Sequence, residues 1–247
     1  MTRKRTYRTF THREAVFRIC CRRFDAATEE IVRQRRILEN YIVRHPAFRD
    51  SLEPLDLLDD SSKDGAPEVA RRMARAARLV GVGPMAAVAG AMAQLAAEAA
   101  LAAGSPEALV ENGGDIYIHA AEPVVVGFHT GTAELAGQIA FSLKPHETPI
   151  AVCSSSGKMG HSMSLGQCDL ATVVAKDAAL ADAAATMAAN LVRTVEQVDS
   201  ALERIAAIEG IDGLMIVKDD RVGLAGRLPR LVKGRPKDGS GIRWHGA

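Results

Sequence analysis

The chain has 247 residues, 47% of them hydrophobic and only 4% aromatic, with a formal net charge of +1. That suits one large domain, or two tightly joined ones, with a sizeable core. The near-zero charge gives no case for nucleic-acid or membrane partners, and the single Trp argues against an aromatic-lined cavity.

The first fifty residues are basic, with thirteen Arg or Lys against six Asp or Glu. Residues 5–10 and 13–24 predict an antiparallel pair with its turn at Thr11 and His12. Residues 26–44 repeat apolar positions at Ile31, Ile37, Leu38, Tyr41 and Ile42, the spacing of an amphipathic helix, and Pro46 ends it or begins a short extra turn. An acidic loop covers 52–66. A second helix is predicted for 67–79, with Pro67 in its first turn. After "GVG" at 81–83, Pro84 opens an apolar run to residue 103. The run has the length of a membrane span, but it is mostly Ala and contains Gln94 and Glu98, so it reads as a buried helix.

From residue 107 the texture changes to short β-rich runs: "ALVEN", "DIYIHA", "PVVVGF", "GQIAFSL", "PIAVCSS" and "DLATVVA". Helices are predicted for 177–192 and 196–208, then a hairpin around Asp219 and Asp220. The tail from 226 is basic and rich in Gly and Pro, and reads as extended or partly disordered. Elements are grouped rather than alternating, which predicts an α+β fold with mixed or antiparallel sheets packed against Ala-rich helices. As one domain, the chain divides into a hairpin and helix (1–60), a core (61–225) and a tail (226–247). Cys20, Cys21, Cys153 and Cys168 have no C-x-x-C spacing. They read as free thiols in a reducing cytoplasm, Cys20 and Cys21 on opposite faces of a strand.

Three segments offer chemistry. In "ENGGDIYI", Gly113 and Gly114 allow a backbone to approach a ligand, and Asp115 either accepts a ligand hydroxyl or caps a turn. In "CSSSGKMGH", Ser154, Ser155, Ser156, Gly157 and Lys158 suit phosphate or carboxylate oxygens, and His161 is a catalytic residue or a hydrogen-bonded turn residue. The segment lacks the P-loop spacing. In "ALADAAATMA", Asp182 and Thr186 share a helical face. They are either hard oxygen ligands for Mg²⁺, or a helix-start acid and a threonine bonded back to a carbonyl.

The order of these segments resembles the ApbE-type FAD:protein FMN transferases. That family shows G-G-D-I, an A-x-S-G strand end, a His, and a T-V-V-A-x-x-A-x-x-A-D-A-x-x-T run, matched here over about residues 80–225. The resemblance implies an α+β fold, FAD or FMN with Mg²⁺, and transfer of FMN to a hydroxyl of an acceptor protein. It implies Asp182 and Thr186 as metal ligands, His161 and Asp182 as catalytic residues, and Gly113 to Asp115, Ser154 to Lys158 and His161 as cofactor contacts.

The chain also departs from the pattern. In "GPMAAVAGAMAQ", residues 83–94, Gly90 survives, but Ala89 stands where the family has Lys, and Gly83 and Gln94 where it has Asp. "SMSLGQ" replaces I-D-P-x-T-G, and the lipoprotein leader is absent. A lysine lost beside the phosphates removes about a few kcal/mol of transition-state stabilisation. The chain thus reads as a degenerate member of a shorter cytoplasmic branch of bacteria and archaea. The alternative is an accessory protein of sulfur assimilation, from sulfide to homocysteine, or an interaction protein on a retained fold. The Ala-rich helix and the sheet edges permit homo-oligomer contacts.

Overall fold

The computed structural model describes residues 5–56, 65–128, 139–157, 166–233 and 241–243. Helices lie on one face of an eight-stranded antiparallel sheet, and a four-stranded sheet covers the other face.

The first pair is β1 (Arg8–His12) and β2 (Ala15–Cys21). His12 pairs with Ala15, so the turn is Arg13 and Glu14 rather than Thr11 and His12. The cross-strand Phe10–Phe17 pair fixes that register, and β-branched Thr11 stays in the strand. Helix α1 (Phe24–Arg44) buries Ile31, Leu38 and Tyr41. Pro46 then opens the short α2 (Ala47–Asp50). Helix α3 (Glu68–Val80) follows.

Pro84 opens a 3₁₀ turn rather than the α-helix itself, and α4 (Val88–Ala102) continues from it. Pro84–Ala102 is long and apolar enough to cross a membrane by length and composition. Here α4 packs against α1, α3, α5 and strand β3.

Strands β3 (Ala108–Asn112), β4 (Asp115–His119), β7 (Ile150–Ser155), β8 (Leu170–Ala175), β9 (Ile211–Lys218) and β10 (Arg221–Gly226) extend the large sheet in the order β1-β2-β3-β4-β7-β8-β9-β10. The small sheet contains β5 (Val124–Gly127), β6 (Ile139–Leu143), β11 (Arg230–Lys233) and β12 (Gly241–Arg243). Two stretches of the tail are therefore strands. β11 pairs with β6 and β12 with β5, because the β5–β6 pair offers edges the tail can bond to.

Alternation along each strand builds two cores. Val110, Tyr117, Cys153, Ala171, Val173, Leu214 and Ile216 face the helices. Leu109, Ile116, Ile118, Val152, Leu170, Val174, Met215 and Val217 face the second sheet, where Phe128 and Phe141 meet edge to face at 4.8 Å. Cys20 joins the inter-sheet core and Cys21 packs on the helix side. All four cysteines are free.

Helix α5 (Ala178–Leu191) is buried on almost every side, and alanine makes that possible. It lies against α3, α4, β7 and β8. Helix α6 (Val198–Ala206) closes the helical layer over β9 and β10.

Candidate functional site

The site forms where β3, β4, β7, α4 and α5 meet. Gly113 and Gly114 join β3 to β4 with φ of 63° and 105°. Two consecutive positive φ values make the tight hairpin turn that glycine allows cheaply. The turn pairs Asn112 with Asp115, which places both side chains on the helix face of the sheet. Asn112 Nδ2 reaches the carbonyl of Ala89 at 3.4 Å. Asp115 is buried, its carboxylate lies beside the Cys153 thiol and the Ser154 amide, and among the described residues its Oδ1 has no hydrogen-bond partner.

Asp182 faces Asp115 from α5. Its Oδ2 accepts from the Gly90 amide at 2.9 Å, and the Ala89 amide adds to that hold. Ala89 and Gly90 lie in the first turn of α4, where amides lack intrahelical acceptors. α4 has no side-chain cap of its own, so Asp182 caps it from another helix. A Cβ on Gly90 would sit 2.1 Å from the Ala178 carbonyl oxygen and 2.9 Å from Asp182 Cβ. Only glycine permits this approach of α4 to α5.

Gln94 ties the same pair together, its Oε1 accepting from the Ala178 amide at 2.8 Å. Asp177 caps α5 through the Leu180 amide at 3.1 Å. The first-turn acid expected of that helix is therefore Asp177, and Asp182 is free for another role.

Burial raises the pKa of both site carboxylates. Asp182 is pushed up to about 7 by desolvation, against the pull of the Gly90 and Ala89 amides. Asp115 is raised well above the ordinary carboxylate range by desolvation and then by the negative charge of Asp182. Burial, with Asp115 and Asp182 nearby, also raises the Cys153 thiol, whose Sγ points to the Ala178 carbonyl at 3.6 Å. Among the described residues, no basic side chain is prominent among the influences on either carboxylate.

The other expected residues fall around this pair. Thr186 is half-buried one turn beyond Asp182. The Ser154 hydroxyl bonds Thr172 at 2.9 Å, on the sheet face opposite Cys153. Ser155 alternates back to the Cys153 side. Ser156 Oγ and the Gly157 amide both bond the Cys168 carbonyl, at 3.3 and 2.8 Å. Lys158 and His161 lie outside the described residues. Sequence reasoning missed Asn112. The signal was its place directly before a two-glycine turn, which pairs it with Asp115.

Among the described residues no group of three His, Cys, Asp or Glu side chains is placed to hold a metal. Two carboxylates, a threonine and neighbouring main-chain oxygens are instead the hard donors that Mg²⁺ takes when phosphate and water complete its shell. Among the described residues, the unpartnered Asp115 Oδ1 beside a second carboxylate fits such an ion.

The architecture is that of ApbE-type flavin transferases. The Thermotoga maritima ApbE protein superposes with a TM-score of 0.58 at 14% identity, covering 89% of this chain and 96% of that one. The Pseudomonas stutzeri flavinyl transferase ApbE gives a TM-score of 0.52 at 12% identity, covering 98% of this chain and all of that one. At these identities the likeness concerns the fold alone. The family profile described as AbpE bacteria matches residues 10–214. UPF0280 protein MJ1526 of Methanocaldococcus jannaschii is 41% identical over 215 residues, covering 85% of each chain. A UPF0280 protein of Archaeoglobus fulgidus is 38% identical over 221 residues, covering 87% of this chain and 88% of that one. The chain belongs to this ApbE-like family, shared by bacteria and archaea.

Proposed function

We propose that the protein binds a flavin or another phosphate-bearing nucleotide through a divalent cation held by Asp182 and Thr186. The observation that carries this reading is the buried Asp115–Asp182 pair, which has no described cation beside it. Two carboxylates repel a bare phosphate, and a divalent ion between them would reverse that sign. The Gly113–Gly114 turn, Ser155 and the segment carrying Lys158 and His161 would hold the nucleotide around it.

When bound, Mg²⁺ would polarise a pyrophosphate. In transfer from FAD, an acceptor hydroxyl would attack the FMN phosphorus. The phosphoanhydride bond to AMP would break, and the hydroxyl proton would pass to a base, the role assigned to Asp182 or His161. This finer activity is opposed by Ala89, which supplies no charge where the transferases carry lysine. A second reading follows from that observation: a nucleotide-binding accessory protein with transfer lost.

The test is calorimetric titration with FAD, FMN and AMP, each with and without Mg²⁺, followed by assay for AMP release from FAD. Mg²⁺-dependent binding of at least one nucleotide supports the reading. AMP release adds transfer to it, and binding without release selects the accessory role. No binding to a folded sample would overturn both.

A further inference from the structure

We propose that Asp115 is a direct ligand of the divalent cation, its Oδ1 adding a third side-chain oxygen to those of Asp182 and Thr186. This rests on the cation reading above and extends it to a residue expected only to meet a ligand hydroxyl or cap a turn.

The hairpin fixes Asp115 firmly. The Gly113–Gly114 turn sets the start of β4, and the Asn112–Asp115 pairing sets the face. Asn112 anchors that face to Ala89 in the first turn of α4, one residue from the amide that holds Asp182. Both carboxylates are therefore positioned by the same short segment of α4. The neighbouring Ser154 amide and Cys153 thiol hold the Asp115 carboxylate in place. Among the described residues, Oδ1 remains buried and unpartnered.

A buried oxygen without a partner is costly, and one that faces a second carboxylate costs more. A turn-capping role would leave the atom hydrogen-bonded. The Asn112–Asp115 hairpin closes through its backbone and does not need this side chain. Among the described residues this oxygen meets no hydrogen-bond donor and its carboxylate faces a second one, an arrangement that suits coordination of a positive charge.

The test is titration of the metal-stripped full-length protein with Mn²⁺, read by the electron paramagnetic resonance of the free ion and competed with Mg²⁺. Wild type, Asp182→Asn, Asp115→Asn and Asp115→Glu are compared. Asp115→Asn should weaken Mn²⁺ binding about tenfold or more, because a charged oxygen ligand is lost, and Asp115→Glu should retain more affinity than Asn. Melting of metal-free Asp115→Asn, followed by circular dichroism, should stay at or above wild type, because an amide cannot ionise beside Asp182. Wild-type Mn²⁺ affinity in Asp115→Asn, or equal affinities for Asn and Glu, would overturn the inference while leaving Asp182 in place. Lower melting with Mn²⁺ affinity intact would make Asp115 a structural residue. A wild type that takes up no Mn²⁺ would remove the underlying cation reading as well.

Discussion

Replacing Gly90 with alanine should loosen the helix pair that seats Asp182. The added Cβ would lie 2.1 Å from the Ala178 carbonyl oxygen, 2.7 Å from its carbon and 2.9 Å from Asp182 Cβ. Two of these atoms are backbone, so relief requires α4 to move away from α5. Overpacking of this kind costs about 1–3 kcal/mol. Displacement also stretches the 2.9 Å bond from the Gly90 amide to Asp182, adding about 1.5 kcal/mol. Alanine returns about 1 kcal/mol of helix propensity. The net is a loss of about 1.5–3.5 kcal/mol, or about 3–14 °C in Tm for a chain of this size. Thermal unfolding followed by circular dichroism measures it. A Gly90→Ala protein as stable as wild type would refute the close α4–α5 approach and, with it, the seating of Asp182.

Further outcomes follow from the same geometry. The folded pKa of Asp182, about 7, lies above its unfolded value, so the native state binds more protons between these values. Metal-free stability should therefore fall as pH rises from about 4 to 7, and Asp182→Asn should flatten the slope in urea titrations. The Asp115 pKa, raised by burial and by Asp182, adds to the decline with the same sign. Gln94→Ala removes the acceptor of the Ala178 amide and should cost about 1–2 kcal/mol in urea unfolding. Asp177→Ala removes the α5 N-cap and should cost about 1 kcal/mol in the same assay. Phe141→Ala empties the inter-sheet core beside Phe128 and should cost about 3–5 kcal/mol of unfolding free energy.

Local pattern made much of this fold legible. The period of Ile31, Leu38 and Tyr41 marked α1, and turn residues bounded β3, β4, β7 and β8 to within a residue or two. The tail was less legible. Arg230–Lys233 and Gly241–Arg243 have little strand character of their own and become strands by pairing with β6 and β5. The hairpin turn was misplaced by two residues because Arg13 adopts a positive φ of 54° that its side chain does not advertise. At the candidate site, motif order singled out Asp115 and Asp182, and the fold brings them together. Their mutual burial, the capping of α4 by Asp182, and the Asn112 bridge depend on contacts between distant segments, which no local periodicity encodes. The turning of Ser154 away from the site follows from strand alternation and was readable once β7 was in register.

The most direct test of the central claim is a flavin-fluorescence titration of metal-stripped protein with FAD, with and without Mg²⁺, on wild type and Asp182→Asn. The asparagine preserves shape at the α4 cap, and circular dichroism verifies the fold. The account predicts saturable binding to wild type that requires Mg²⁺ and is lost in Asp182→Asn. Absence of binding to folded wild type, or binding indifferent to both Mg²⁺ and the substitution, would contradict it.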